Sequence, residues 1–518
     1  MRQGVPSEEG DMPRRRNPRG RARSAGGILL LTVAAMALSV SAPVVAGSNE
    51  APATPHERGG GPPNIVLILA DDQRVDQLSR MPTVQSRLVD EGVSFSNAFV
   101  VDPLCCPARA TILRGQYAHT TRIYGIRKPY GGAVVFNQLG LQKSTIATWL
   151  RGAGYRTALV GKYLNSYTAT SSKPPGWDVW NALVGTTEQN QYYNYKLNTN
   201  GVTTTFGSAP TDYSTDVLAT RASDFIRNTG ASTPLFLYFA PTAPHTPPTP
   251  APRHATDPRC TGAVNTGYVD GHVGPPPSVN ETDVSDKPAW IQRKGNLSLS
   301  TMASSWVKIC RTLLAVDDAV AKIVDALQQT GRLDNTLIIY TSDNGLLRGE
   351  HRLQYKKAFY EESIRVPMVV RYPGVASPGT EDARFALDVD LAATFADAAN
   401  VTPGVPQEGA SLLPLLDGSA TSWRTSFLVE HADPHATSGD SRYVPTYCAI
   451  RTTTHVFAVL TTGEEELYDL AADPFELQNL LRPPGGQIAP ANQALRNTLW
   501  SQLFTGLNGK PPMCSPLP

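Results

Sequence analysis

The chain has 518 residues, 41% of them hydrophobic and 18% charged, with a formal net charge of +1. That length supplies two domains, or one large domain with an appendage, and ample material for a core. The near-neutral balance excludes a nucleic-acid or membrane-surface binder held by bulk charge. The first residues are a targeting segment. Arg14, Arg15, Arg16, Arg19, Arg21 and Arg23 precede an apolar run from Ile28 to Leu38, and Val44-Val45-Ala46 fits a signal-peptidase site. The run is near the lower limit for crossing a bilayer, and its small-residue end favours cleavage over anchoring. Residues 1–46 are therefore expected to be a signal peptide, and 47–61, rich in Pro, Gly and Ala, a flexible leader. Removing 1–46 leaves 39 basic against 42 acidic residues, so export does not make the protein a polyanion binder.

Four apolar runs share one design. Residues 64–70 end in Asp71-Asp72, and 157–160 end in Gly161-Lys162. Residues 234–240 lead to Pro244-His245, and 336–340 end in Thr341-Ser342-Asp343-Asn344. Unalternated apolar runs of this length predict strands buried on both faces of a mostly parallel sheet. A further run, 366–370, stops at Arg371. Helical spacing covers 144–154 and 304–331 between these strands. Alternating strands and helices predict an α/β layered domain over 62–420, and ligands in such sheets bind beyond the carboxyl ends of the strands. All four polar terminations would then face one crevice. From about residue 421 the texture changes. Short strand candidates at 446–450, 455–460 and 466–470, then a helical pattern over 489–507, predict a small antiparallel α+β subdomain reaching to 518.

Cysteine usage fits export. Cys260, Cys310, Cys448 and Cys514 allow three disulfide connectivities, among which the spacing does not choose, and no Cys-x-x-Cys zinc pattern occurs. Cys105 and Cys106 stand apart, in Leu104-Cys105-Cys106-Pro107-Ala108-Arg109. Pro107 excludes a strand interior, so this stretch predicts a turn into a helix beginning near Ala108. A helix N-terminus, with Arg109 beside it, favours an anion or an activated sulfur. Asp71, Asp72, Asp343 and Asn344 offer hard oxygen ligands of the kind Ca²⁺ or Mg²⁺ takes. His245 sits in a loop stiffened by Pro244 and Pro247, where a histidine can donate a proton near neutral pH.

Cys105-x-Pro107-Ala108-Arg109, followed by Leu113-x-Gly115, resembles the signature of the sulfatase family. The residues flanking the signature glycine depart from its usual form, being Arg114 and Gln116. Segments around Asp71-Asp72, Gly161-Lys162, Ala243-Pro244-His245-Thr246-Pro247 and Asp343-Asn344 match the same family in order, over about residues 62–481. The resemblance implies an alkaline-phosphatase-like fold, with Cys105 oxidised to formylglycine by a formylglycine-generating enzyme during maturation. It implies one Ca²⁺ ion held by Asp71, Asp72, Asp343, Asn344 and residue 105. Lys162 and Lys356 would grip the sulfate; Lys356 rather than Lys357 fits the spacing to Tyr360-Glu361-Glu362-Ser363. The hydrated formylglycine, oriented by the ion and Arg109, would attack sulfur, and His245 or Lys356 would assist the leaving alcohol.

Many sulfatases carry a histidine where this chain has Leu164, which leaves the general base unassigned. Gly161-Lys162-Tyr163-Leu164-Asn165 resembles the N-acetylglucosamine-6-sulfatase branch, as do residues 176–183 and 192–195. The implied substrate is a 6-sulfated sugar or an aryl sulfate. The aromatic clusters at 176–183 and 192–195 fit either a sugar face or a core. Two other functions stay open at this point. One is a phosphonate monoester or phosphodiester hydrolase of the same fold. The other is a non-catalytic carbohydrate-binding protein with Cys105 left as a thiol.

Overall fold

The computed structural model describes residues 61–185, 191–260, 275–432 and 442–506. The chain divides into two compact units, 1–52 and 53–518, and all the described residues belong to the second. The expected signal peptide, most of the leader and Cys514 lie outside the described residues. Among the described residues no helix is long and apolar enough to cross a membrane.

A ten-stranded sheet organises the molecule. Its strands are β1 (Asn64–Ala70), β2 (Val93–Phe95), β3 (Arg156–Gly161), β4 (Val179–Val184) and β5 (Lys196–Thr199), then β6 (Val202–Thr205), β7 (Leu235–Ala240), β8 (Thr336–Ser342), β9 (Met368–Arg371) and β10 (Thr380–Asp382). The spatial order is β10-β2-β9-β8-β1-β7-β3-β4-β5-β6. The five central strands, β8 to β4, run parallel. The run at 366–370 becomes β9, which pairs antiparallel with both its neighbours. The pleat explains why the central runs lack alternation. In β1, Ile65, Leu67 and Leu69 join one apolar cluster while Val66 and Ile68 join another on the opposite face. Both faces are covered, so every position must be apolar.

The first cluster takes its helical cover from α1 (Cys105–Arg114), α2 (Ile146–Gly152) and α5 (Asp390–Ala398). The second takes it from α3 (Ser214–Arg227) and the 31-residue α4 (Leu299–Gln329). The layered α/β architecture expected from the sequence is the one observed.

The helix carrying the cysteines corrects one expectation. It starts at Cys105, with Leu104 as N-cap, not near Ala108. Pro107 therefore occupies the first turn, where its missing N–H would have had no intrahelical partner. Gly115 ends the helix at φ +66, and an added Cβ there would lie 2.0 Å from Gln407 Oε1. Strands β4, β5 and β6 and helices α3 and α5 were not read from the sequence.

Beyond the main sheet, β11 (Ser426–His431), β12 (Tyr447–Thr452), β13 (His455–Leu460) and β14 (Glu465–Asp469) form an antiparallel sheet in sequence order, with α6 (Pro490–Ser501) beside it. A third apolar cluster joins Phe427, Tyr447 and Phe457 of this sheet to Phe99, Phe359 and Leu387. Cys260 and Cys310 form a disulfide, and Cys448 is also disulfide-bonded.

Candidate active site

The parallel strands deliver their polar terminations to one edge of the sheet. β1 ends at Asp71 and Asp72, β3 at Lys162 and β8 at Asp343 and Asn344; the loop after β7 brings His245. Gly161 permits this convergence. At φ +123 it has no Cβ, and an added one would lie 2.0 Å from the Ala240 carbonyl oxygen. The Lys162 amide consequently donates to that carbonyl at 2.7 Å. Asp72 adopts a left-handed backbone, φ 69, a conformation that non-glycine residues seldom hold without support. Its amide donates to Asp343 Oδ1 at 3.2 Å, which ties the ends of β1 and β8 together.

The N-terminus of α1 places Cys105 in the middle. Cys105 Sγ lies 3.6 Å from Asp71 Oδ1, 3.9 Å from Asp72 Oδ1 and 2.7 Å from Lys356 Nζ. Lys356 also donates to Asp72 Oδ1, and Lys162 donates to Asp71 Oδ2 at 2.6 Å. One helical turn on, Arg109 is fully buried. Its Nε donates to Asp343 Oδ2 at 2.7 Å, its Nη1 to the Lys162 carbonyl at 2.9 Å, and its Nη2 lies 3.8 Å from Asp71. His245 Nε2 stands 3.7 Å from Asp72 Oδ2. His245 Nδ1 lies 2.8 Å from the Thr246 carbonyl, so Nδ1 carries the proton and Nε2 faces the cluster. Tyr192 Oη donates to the His245 carbonyl at 2.7 Å and holds that loop in place.

Charge compensation sets the protonation states. Burial pushes the Asp71 carboxyl up, but Lys162, His245 and Arg109 outweigh it and hold the group at about 2. Asp72 is likewise lowered, with burial opposed by Lys356 and His245. Burial favours neutral amines, yet Asp71 raises Lys162 and Asp72 raises Lys356 well above the usual lysine value. Both lysines are therefore cations and both aspartates anions at neutral pH. The Cys105 thiol is different. Burial pushes it up to about 12, and the nearby lysines only partly oppose that. A thiol so held is protonated and is a poor nucleophile.

The donor set fits a hard divalent cation. Asp71, Asp72, Asp343 and Asn344 are all buried, and Asn344 Oδ1 has no hydrogen-bond partner among the described residues. Asp71, Asp72, Cys105 and His245 each bring a ligand atom within 4.8 Å of the others. Oxygen donors of this kind suit Ca²⁺ or Mg²⁺.

All nine residues singled out from the sequence thus meet in one place. Lys356, not Lys357, carries its ammonium into the cluster. Leu164 packs into the first apolar cluster, and the neighbouring Asn165 Oδ1 is buried with no hydrogen-bond partner among the described residues. The aromatic segments resolve as core: Trp177, Trp180, Tyr192 and Tyr195 are all buried. Tyr192, read from the sequence as part of a sugar face or of the core, instead positions the His245 loop. Nothing in its local pattern signals a contact with a carbonyl 53 positions away. Both Cys105 and Cys106 are free thiols, so the site holds no bridge between them. Cys106 instead accepts from the Gly132 amide at 3.3 Å.

Buried carboxylates, two lysines and a histidine around a helix N-terminus define an enzyme centre built for an oxyanion ester. Comparison with known proteins gives the class its name. A family model described as Sulfatase matches residues 63–401, and one described as N-sulphoglucosamine sulphohydrolase, C-terminal, matches 349–504. The chain is 32% identical to an arylsulfatase of Volvox carteri, over 86% of this chain and 74% of that one. It is also 32% identical to the N-acetylglucosamine-6-sulfatase of Homo sapiens, over 81% of each. A solved protein in complex with its substrate, D-glucosamine-2-N,6-O-disulfate, superposes with a TM-score of 0.70 at 26% identity. That match covers 87% of this chain and 99% of the other. The chain belongs to the sulfatase family and is a sulfuric ester hydrolase.

Proposed function

We propose that the protein is an exported sulfatase acting on 6-sulfated amino sugars through a formylglycine made from Cys105, with one Ca²⁺ ion. The observation that carries this reading is the placement of Cys105. Its side chain lies at the centre of two lysines and two aspartates, and its unaltered thiol is held protonated. Burial disfavours the thiolate at that position, and the cations around it suit a hydroxyl nucleophile facing an anionic ester. Formylglycine, made by a maturation enzyme, supplies a hydrated aldehyde whose hydroxyl serves as nucleophile toward sulfur. Asp71, Asp72, Asp343 and Asn344 would hold the ion, which adds positive charge beside the sulfate oxygens.

The chain's own residues have separable tasks. Lys162 and Lys356 leave their aspartates in part to bind sulfate oxygens, since an incoming anion competes for the same ammonium groups. Arg109 keeps Asp71 and Asp343 ionised and in register. His245 gives the proton from Nε2 to the departing alcohol when it enters the cycle as imidazolium. Its Nδ1–H stays on the Thr246 carbonyl, so Nε2 is the atom free for that transfer. With Leu164 unable to accept a proton, Asp71 and Asp72 are the bases nearest residue 105.

The similarity to sugar sulfatases supports the substrate class, and the targeting segment at 1–46 supports export. On this reading 62–420 is the catalytic part and 421–518 an accessory part. Two measurements test the proposal together. Peptide mass across residue 105 is expected to show conversion of the thiol to an aldehyde. Paired rates are expected to favour N-acetylglucosamine 6-sulfate over a matched phosphonate monoester. An unmodified thiol in active protein, or faster phosphonate cleavage, would overturn it.

A further inference from the structure

A second group of metal-ligating side chains lies outside the cluster described above. His351, Glu362 and Glu476 each bring a ligand atom within 4.8 Å of the others. His351 is fully buried and Glu476 nearly so, and part of Glu362 reaches solvent. Each carries a shielded atom with no hydrogen-bond partner among the described residues: His351 Nε2, Glu362 Oε2 and Glu476 Oε1. Their other polar atoms are better served. His351 Nδ1 lies 2.7 Å from Glu281 Oε2, and Glu476 Oε2 accepts from the Glu361 amide at 3.0 Å.

We propose that His351, Glu362 and Glu476 bind a divalent transition-metal ion of the zinc class, with Glu281 as the outer carboxylate behind the histidine. The argument runs through proton positions. With Glu281 ionised, its carboxylate accepts from His351 Nδ1, which leaves Nε2 as a lone pair. Three shielded atoms, His351 Nε2, Glu362 Oε2 and Glu476 Oε1, thus share one small space with no hydrogen-bond partner among the described residues. One cation satisfies all three. Unpaired buried acceptors are costly, so a ligand is the expected remedy.

The donor set selects the ion. Imidazole nitrogen with two carboxylates suits Zn²⁺, whereas Ca²⁺ takes oxygen ligands almost alone. A histidine whose second nitrogen faces a carboxylate is the arrangement that orients a metal-bound imidazole. The charge around the site agrees. Lys287 is 3.2 Å from Glu281, and Arg74 is 2.6 Å from Glu350. With Arg451, which acts on Glu476, the buried cations are three, against the carboxyls of Glu281, Glu350, Glu362, Glu466 and Glu476.

The consequence reaches the first site. His351 and Glu362 bracket the segment carrying Lys356, and Glu476 follows β14 of the antiparallel sheet. The ion would fasten the Lys356 segment to that sheet without touching substrate.

The experiment uses the full chain saturated with Ca²⁺, stripped of transition metals by a mild chelator and re-equilibrated with Zn²⁺. Elemental analysis is expected to find about one Zn²⁺ per chain. His351→Gln and Glu476→Gln should each lose it, whereas Asp72→Asn, in the other cluster, should retain it. Anomalous scattering at the zinc edge, from crystals of the unaltered protein, should place the ion among the three side chains. That measurement decides even if the variants do not fold. No bound Zn²⁺, an anomalous peak at Asp71 and Asp72 instead, or full uptake by a folded His351→Gln would each overturn the proposal.

Discussion

Cys105 has little packing to lose and all the chemistry to carry. Cys105→Ala is expected to cut turnover to below about one hundredth, the scale on which nucleophile loss acts, with thermal midpoint unchanged. Parallel activity and melting measurements check both halves. His245 makes a sharper test because its effect depends on the leaving group. His245→Ala should slow sugar-sulfate hydrolysis by about 100-fold or more and spare aryl sulfates, whose phenolates depart without a proton. Equal losses on the two substrates would remove His245 as the acid. At this scale most of the site was legible, because Asp71, Asp72, Lys162, Asp343 and Asn344 follow strand runs directly and chain order alone aligns them. Tyr192 was not, since its role is a long-range contact with a backbone oxygen.

Elements differ in how much of them the local pattern reveals. The buried central strands announced themselves, and β1 and β13 have the bounds their apolar runs predict. Strand β6 did not, because all four of its residues are exposed and its pairing with β5 rests on backbone bonds. Helix α3 could have been found from Leu218, Ala222, Phe225 and Ile226, which keep helical spacing. The antiparallel sheet supplies a pH prediction through Glu466 on β14. Burial raises this carboxyl from 4.5 to about 7, against hydrogen bonds donated by Tyr360 at 2.7 Å and Tyr468 at 2.5 Å. A raised folded-state pKa means that the native protein holds the proton more tightly than the unfolded chain. Its contribution is therefore complete below about 4.5 and is lost as pH rises through about 7, at most about 3 kcal/mol. Glu466→Gln keeps an acceptor for both tyrosines and cannot ionise. Its thermal midpoint should vary less between those two pH values than that of the parent.

At the scale of the molecule, the disulfide between Cys260 and Cys310 closes a loop with a sequence separation of 50 and pins it to α4. Chain-entropy arguments put such a closure at about 4 kcal/mol. The double variant Cys260→Ser, Cys310→Ser should lose stability on that order in denaturant titrations, and reductant should then have no further effect attributable to this bond. The third apolar cluster draws on residues before and after position 420, so the antiparallel sheet is stabilised by the larger part and not by its own core alone. The sequence by itself determined the layered α/β class, the order of the central strands' polar ends and the family signature. Each of these is written in local periodicity or in short contiguous motifs. Only the tertiary structure decided that the aromatic segments are core and that Cys260 pairs with Cys310. It alone brought His351, Glu362 and Glu476 together. Those facts depend on which distant segments share space, and no local periodicity encodes a contact between residues that meet only when the sheet closes around them.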